Sequence, residues 1–263
     1  MIFMPVKQTI KKDLLVPITK IIKETNDTKT FRFSLNEEQR FDFYPGQFIM
    51  VEVFMKKDWC MENANQFKDK LDTEPKDGPQ KRAFSIASSP SNKEYIEITV
   101  KKEIFVSRYL VNEFEEGDNV KIGGPYGKFY YRKDMGKDLV LLAGGSGIVP
   151  LMCIMRYIKD NKLDINTTLM YSSKTPEDII YKKELDEIDK EGKMKIIHTI
   201  TRPDGYEWNG EIGRIDKEKL SKLENLANSL IYICGPPVMV DNTVSILKDE
   251  LKIDKERIKI ERW

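Results

Sequence analysis

The chain has 263 residues with 44 basic and 43 acidic side chains, a net charge of +1, 40% hydrophobic residues and 33% charged ones. That length suits two ordinary domains and the apolar fraction builds a core, which excludes a disordered chain, while the balanced charge supplies no global field for nucleic acid or an anionic membrane. One histidine, His198, excludes the usual histidine-based metal sites and a Ser-His-Asp triad, and three widely spaced cysteines, Cys60, Cys153 and Cys234, exclude a disulfide framework or a self-contained four-cysteine cluster and fit a reducing cytoplasm.

Lys7, Lys11 and Lys12 near the N-terminus are followed by no sustained apolar stretch, so neither a signal peptide nor a membrane anchor is expected. Six short strands then run in an all-β rhythm, Leu14 to Ile22, Thr30 to Leu35, Phe48 to Phe54, Arg82 to Ala87, Tyr95 to Val100 and Asn119 to Ile122, which predicts a small antiparallel barrel. Phe31 and Phe33 alternate with Arg32 and Ser34, and Ile96, Ile98 and Val100 with Glu97 and Thr99, the period of strands with one face in a core. One helix is expected from about Ser107 to Phe114. The polar stretch from Lys56 to Lys81 is long for a hairpin connection and reads as an inserted surface loop.

From about Asp138 the rhythm changes to strand then helix. Strands are expected at Leu139 to Ala143, Thr167 to Tyr171, Met194 to Ile200, Ile231 to Cys234 and Arg257 to Ile260, with helices starting near Val149, Pro176, Asp216 and Val238. This predicts a five-stranded parallel α/β sheet. Thr175 suits an N-cap, and Glu177 and Asp178 suit the first turn of a helix. The uncharged run Leu139 to Met155 is interrupted by Gly144, Gly145, Gly147 and Pro150, so it reads as strand, turn and helix start rather than a membrane span. The boundary falls within Tyr131 to Lys137, giving domains of residues 1–134 and 135–263.

Two glycine turns stand at the ends of predicted strands, Gly144-Gly145-Ser146-Gly147 and Cys234-Gly235-Pro236-Pro237. Glycines let a backbone approach a pyrophosphate while a helix N-terminus offers free amides, and ligands of open α/β sheets lie outside such strand ends, so the two turns are expected to share one crevice. In the first half, Arg82-Ala83-Phe84-Ser85-Ile86-Ala87-Ser88-Ser89 puts a cation, an aromatic ring and three hydroxyls on one strand and its exit. Alternation sends Arg82, Phe84 and Ile86 to one face and Ala83, Ser85 and Ala87 to the other, a setting for a flat heteroaromatic ligand or a plain edge strand.

Taken in order, Arg82-x-Phe84-Ser85 with Ser88, Gly124-Pro125-Tyr126-Gly127-Lys128-Phe129, Gly144-Gly145-Ser146-Gly147-Ile148-x-Pro150 and Cys234-Gly235-Pro236-Pro237-x-Met239 resemble the motif series of the ferredoxin-NADP reductase superfamily over nearly the whole chain. The resemblance implies a flavin-binding barrel followed by a pyridine-nucleotide domain, with hydride passing between nicotinamide C4 and flavin N5. It implies that Arg82 pairs with the flavin phosphate, that Phe84, where the family usually has tyrosine, packs on the isoalloxazine, that Ala83 is a further cofactor-binding residue, and that the Ser85 hydroxyl sits near N5. Ser88 matches a hydroxyl more common in FAD-binding than FMN-binding members, hence FAD rather than FMN. Ser107 matches a helix-start hydroxyl near the flavin pyrophosphate, although the family glycine before it is missing from Ile104-Phe105-Val106-Ser107.

On the nucleotide side, Gly144, Gly145, Ser146 and Gly147 would carry the pyrophosphate. Cys234, with Gly235 and Pro236, would place its sulfur near nicotinamide C4. Lys174 lies where the family chooses between NADPH and NADH, and either choice stays open. Glu261 and Trp263 resemble a C-terminal acidic residue with an aromatic flavin lid two positions on; Trp263 reads equally as a packed terminus. The expected protein is a cytoplasmic flavin-dependent oxidoreductase with Ser85, Cys234 and Glu261 as catalytic residues and no metal. It would pass single electrons to or from a ferredoxin or flavodoxin, with Lys56-Lys57 and Lys101-Lys102 as a basic rim for that carrier. The alternative is a non-catalytic flavin or nucleotide module, or a reductase subunit of a larger electron-transfer complex.

Overall fold

The computed structural model describes residues 13–56, 58–60, 78–103 and 105–262. Alternating apolar residues in the first half fold into six strands, β1 (Leu14–Lys23), β2 (Thr28–Ser34), β3 (Phe48–Met55), β4 (Gly78–Ser85), β5 (Tyr95–Lys101) and β6 (Asn119–Tyr126). Every pairing is antiparallel, in the order β4-β3-β6-β1-β2-β5. The two ends of that order meet at one isolated bridge, Ile86 to Ile98, which closes the barrel. Phe31, Phe33, Ile49, Val51, Ile96 and Ile98 fill its interior. Helix α1 (Phe105–Glu113) sets Val106, Tyr109 and Leu110 against that core.

β4 begins at Gly78, four residues before the expected start at Arg82, because Gly78 to Lys81 pair with Met55 to Glu52. The end of the expected insertion is therefore strand. Trp59 and Cys60, at its start, are buried in the barrel core, Trp59 edge-on to Tyr109 at 5.0 Å. Lys57 and residues 61–77 of the expected loop lie outside the described residues.

The second sheet contains β7 (Asp138–Gly144), β8 (Asn166–Ser173), β9 (Met194–Ile200), β10 (Glu211–Ile212), β11 (Leu230–Gly235) and β12 (Ile258–Arg262). All pair in parallel, in the order β10-β9-β8-β7-β11-β12. The expected five strands are present and β10 is a sixth, which two residues are too short to announce by any period. Leu139, Leu141 and Ala143 of β7 face a layer containing α2 (Ile148–Asp160) and α3 (Lys182–Lys190). Val140 and Leu142 face the layer of α4 (Lys217–Ser221) and α5 (Pro237–Ser245). The helix expected at Pro176 is only a 3-10 turn, Pro176–Asp178, in which Thr175 donates its N–H and hydroxyl to Asp178 Oδ2 at 3.1 and 2.8 Å; α3 starts after Tyr181 adopts a left-handed φ of 60°.

Helix α2 is apolar almost all round because it is wedged between sheet and barrel: most of its buried residues join the sheet core, while Cys153 joins the barrel core. Cys153 Sγ donates to Ser88 O at 3.0 Å. Arg156 donates to Ala87 O at 2.9 Å and pairs with Glu97 and Glu184 at 3.4 and 2.6 Å. The same contact explains β5, whose Glu97 and Thr99 were expected on a solvent face but are 4% and 5% exposed. Among the described residues no helix is long and apolar enough to cross a membrane.

Candidate functional site

Two cavities run along the junction of barrel and sheet. The first, about 390 Å³, lies where β4 and β5 diverge beyond their single bridge, between Arg82 to Ser85 on one side and Thr99 to Lys101 on the other. Its far wall is Cys234, Glu261 and the α2 entrance at Ser146, Val149 and Pro150. The second, about 510 Å³, covers the carboxyl ends of β7, β8 and β11 and is lined by Gly144, Gly145, Ser173, Lys174, Arg202, Arg214 and Pro236 among others. Lys101 and Glu103 line both, so the cavities adjoin. Each is of ligand size.

On the barrel wall all four residues from Arg82 to Ser85 reach the first cavity. The expected division into two faces does not keep them apart here, because an edge strand next to an open gap can border one cavity with both faces. Phe84 leans on the barrel core and Ser85 stands beside Phe48 in the β3 ladder. The Arg82 guanidinium donates to Lys81 O at 3.1 Å and has no carboxylate partner among the described residues. A free, planar cation at a cavity rim fits a phosphate group.

On the sheet wall, Cys234 at the end of β11 is the register neighbour of Glu261 on β12. Burial pushes the Cys234 thiol well up, with the Glu261 charge acting the same way, so it keeps its proton at neutral pH. Burial also pushes the Glu261 carboxyl up to about 7, where it can give or take a proton. In the second cavity Lys174, Arg202 and Arg214 are exposed and have no carboxylate partner among the described residues. Asp178, which shares the cavity, already accepts both Thr175 bonds.

The two glycine turns do share one crevice, through contact with each other. A Cβ on Gly147 would lie 2.1 Å from Cys234 O and 2.7 Å from Gly235 N; one on Gly144 would lie 2.3 Å from Met239 Sδ. Gly145 alone of the three has a positive φ, 54°.

Residues 141–245 match the model of the oxidoreductase NAD-binding domain. The chain is 29% identical over 227 residues to the glycine betaine monooxygenase reductase subunit of Pseudomonas aeruginosa, covering 84% of this chain and 57% of that one. The flavohem-like FAD/NAD-binding domain of nitric oxide dioxygenase from Vibrio cholerae superposes with a TM-score of 0.79 at 22% identity, over 96% of this chain and 99% of that one. The ferredoxin NADP+ reductase of Neisseria gonorrhoeae, solved with FAD and NADP bound, gives 0.71 at 22%, over 95% and 98%. Over nearly its whole length the chain shares the two-domain fold of these structures, and its second half matches the oxidoreductase NAD-binding domain. It spans little more than half the length of the Pseudomonas relative.

Of the residues the superfamily motifs imply, the structure brings Arg82, Ala83, Phe84, Ser85, Ser107, Ser146, Cys234 and Glu261 into the first cavity and Gly144, Gly145, Lys174 and Pro236 into the second. Ser107 Oγ accepts the Glu103 N–H at 3.0 Å. Three expectations need correction. Ser88 lies outside both cavities, 2% exposed, and its hydroxyl accepts the Glu97 N–H at 3.0 Å because the chain turns into the α2 contact there. Gly147 and Gly235 line neither cavity; their missing side chains let the two turns pack. Lys101 is no open rim, since it pairs with Asp27 at 3.1 Å and its side chain is 14% exposed. Ile104 and Trp263 lie outside the described residues.

Glu103, Arg202 and Arg214 also line the second cavity; in sequence Thr201-Arg202-Pro203 and Gly213-Arg214 resemble a family loop only in outline, with no binding role attached. Arg202 and Arg214 flank Trp208 and Gly210, a turn-rich loop whose two ends return to β9.

Proposed function

We propose that this chain is a cytoplasmic flavin-dependent NADPH oxidoreductase, with residues 1–134 holding FAD in the first cavity and residues 135–263 holding the nucleotide in the second. The observation that carries it is the meeting of the two cavities at Lys101 and Glu103, with Ser85, Cys234 and Glu261 in the first. Arg82, with no carboxylate partner among the described residues, fits a flavin phosphate and Phe84 offers a ring face to the isoalloxazine. A bound flavin would supply the hydride acceptor and convert an electron pair into single electrons. Ser85 would hydrogen-bond the reacting edge, Cys234 would position the nicotinamide without ionising, and Glu261 would hold or release a proton beside it. FAD is favoured over FMN by the FAD-bound relative, since Ser88 no longer argues for it.

Lys174, Arg202 and Arg214 favour a 2′-phosphate and hence NADPH. Single electrons would pass to an external carrier such as ferredoxin or flavodoxin. Anaerobic titration of the flavin-loaded chain tests this: NADPH should bleach the oxidised-flavin band at lower concentration than NADH, by about tenfold. Lys174→Ala with Arg202→Ala should erase that difference and spare NADH. A loaded chain bleached by neither nucleotide overturns the reading. A second reading, a reductase subunit of a larger complex, is favoured by Leu15 and Phe54, 64% and 71% exposed on the barrel wall; gel filtration with candidate partners distinguishes it.

A further inference from the structure

A file of three oxygen-bearing side chains crosses the structure beside β5. Thr99 lines the first cavity, and its hydroxyl lies 2.7 Å from that of Thr30, its partner across the β2 ladder. Thr30 Oγ1 lies 2.6 Å from Glu24 Oε1. Glu24 and Thr30 line a different hollow, about 420 Å³, which opens away from the cleft beside Arg156. Thr99 and Thr30 are 5% and 1% exposed, so no solvent interrupts the file between the two spaces. Tyr181 OH makes a short hydrogen bond to Thr99 Oγ1.

Each hydroxyl carries one hydrogen, and an ionised carboxylate can only accept. Thr30 therefore gives its hydrogen to Glu24, Thr99 gives its own to Thr30, and Tyr181, whose phenol burial pushes far up, gives its own to Thr99. Every hydrogen in the file points toward Glu24.

The geometry points to a proton path in which Thr99 and Thr30 carry a proton from the cleft to Glu24, which releases it into the rear hollow. This rests on the reductase reading. When one NADPH is oxidised by two one-electron acceptors, the products are NADP+, two reduced acceptors and one proton, and that proton must leave the cleft. In the shift, Thr99 oxygen bonds the incoming proton as its own O–H bond breaks toward Thr30; the Thr30 O–H breaks in turn toward Glu24, which becomes a neutral acid. Loss of that proton to the hollow and rotation of the two hydroxyls reset the file. Burial raises the Glu24 carboxyl, opposed by the Thr30 bond, the Tyr181 N–H and Arg156 of α2, and reinforced by Glu184 of α3. Arg32 of β2, Glu97 of β5 and Asp160 of α2 line the same hollow.

Two measurements test the path. In the cofactor-free chain, infrared titration of wild type against Glu24→Gln should show Glu24 titrating above the ordinary glutamate range. Thr30→Val should move it higher, by removing a bond to the carboxylate, and Thr30→Ser should restore it. In the FAD-loaded, pre-reduced chain mixed with ferricyanide and an indicator dye, proton release should keep pace with flavin reoxidation in wild type and Thr30→Ser. It should lag by roughly tenfold or more in Thr30→Val and Glu24→Gln. Release in step with reoxidation in both variants, or a Glu24 titration that Thr30→Val leaves unmoved, overturns the path while the reductase reading stands. A chain that takes up no flavin overturns that reading instead, and the path with it.

Discussion

On the barrel side of the cleft a ligand would meet side chains, Arg82, Phe84 and Ser85, standing on the outermost strand of the hydrogen-bonded order; on the sheet side it would meet backbone turns held together by glycines that exclude a Cβ. The first wall is chemically specific and sterically loose, since Arg82 and Ala83 are exposed and could be changed without touching a core. The second is sterically fixed, because the Gly144 to Gly147 turn and the Cys234 to Gly235 turn occupy each other's side-chain space. A binding site can thus divide its work, one wall setting which ligand is held and the other setting where it lies.

The largest expected effect breaks the sheet wall. Gly147→Ala places a methyl group 2.1 Å from a backbone carbonyl that cannot swing aside, and should cost about 3 kcal/mol or more of stability, read as the drop in denaturant midpoint. A variant as stable as wild type would show that the turns are not locked.

Next comes Glu261, the sheet wall's own titrating side chain. Its carboxyl is pushed up to about 7 from an ordinary 4.5, so below pH 4.5 it is protonated whether the chain is folded or not, and no penalty exists. As pH rises the unfolded chain ionises first, and above about 7 the folded state carries a penalty of roughly 2 to 3 kcal/mol. Glu261→Gln should therefore gain stability over wild type progressively between those values and level off above. Parallel pH curves for the two proteins would remove the buried carboxyl from the account.

The smallest effect sharpens the barrel side. Arg82→Ala should leave thermal stability of the flavin-free chain nearly unchanged while weakening flavin binding by roughly 1.5 to 2 kcal/mol, on the order of tenfold or more in Kd. Equal loss of both would mean that Arg82 supports the strand rather than the ligand.

The same division decides how much could be read in advance. Residue types on β4 drew attention to Arg82, Phe84 and Ser85, which the structure sets around one cavity, and the period of two placed Phe31 and Ile98 in the core. Gly147 was legible as special but for the wrong partner, because a glycine in sequence says only that something comes close, not whether it is a phosphate or the chain itself. Ser88 misled because its neighbour in space, α2, lies some 60 residues on, and Thr99 looked solvent-facing for the same reason. The six-residue return of the loop between Trp208 and Gly213, which delivers Arg214, has no period to detect.

Among the described residues the barrel is closed by one ladder bridge, Ile86 to Ile98, and the Glu97 to Ser88 side-chain bond beside it, which makes this seam its least cooperative line, and the first cavity is the gap just beyond it. A molecule spanning from Arg82 to Thr99 would act as a staple across the seam. Amide hydrogens of β4 and β5 near the bridge should then exchange more slowly in proportion to ligand occupancy, through mass action on local opening. Occupancy and barrel integrity become a single equilibrium, so an unloaded chain would be recognised by proteases at this edge before anywhere in the parallel sheet.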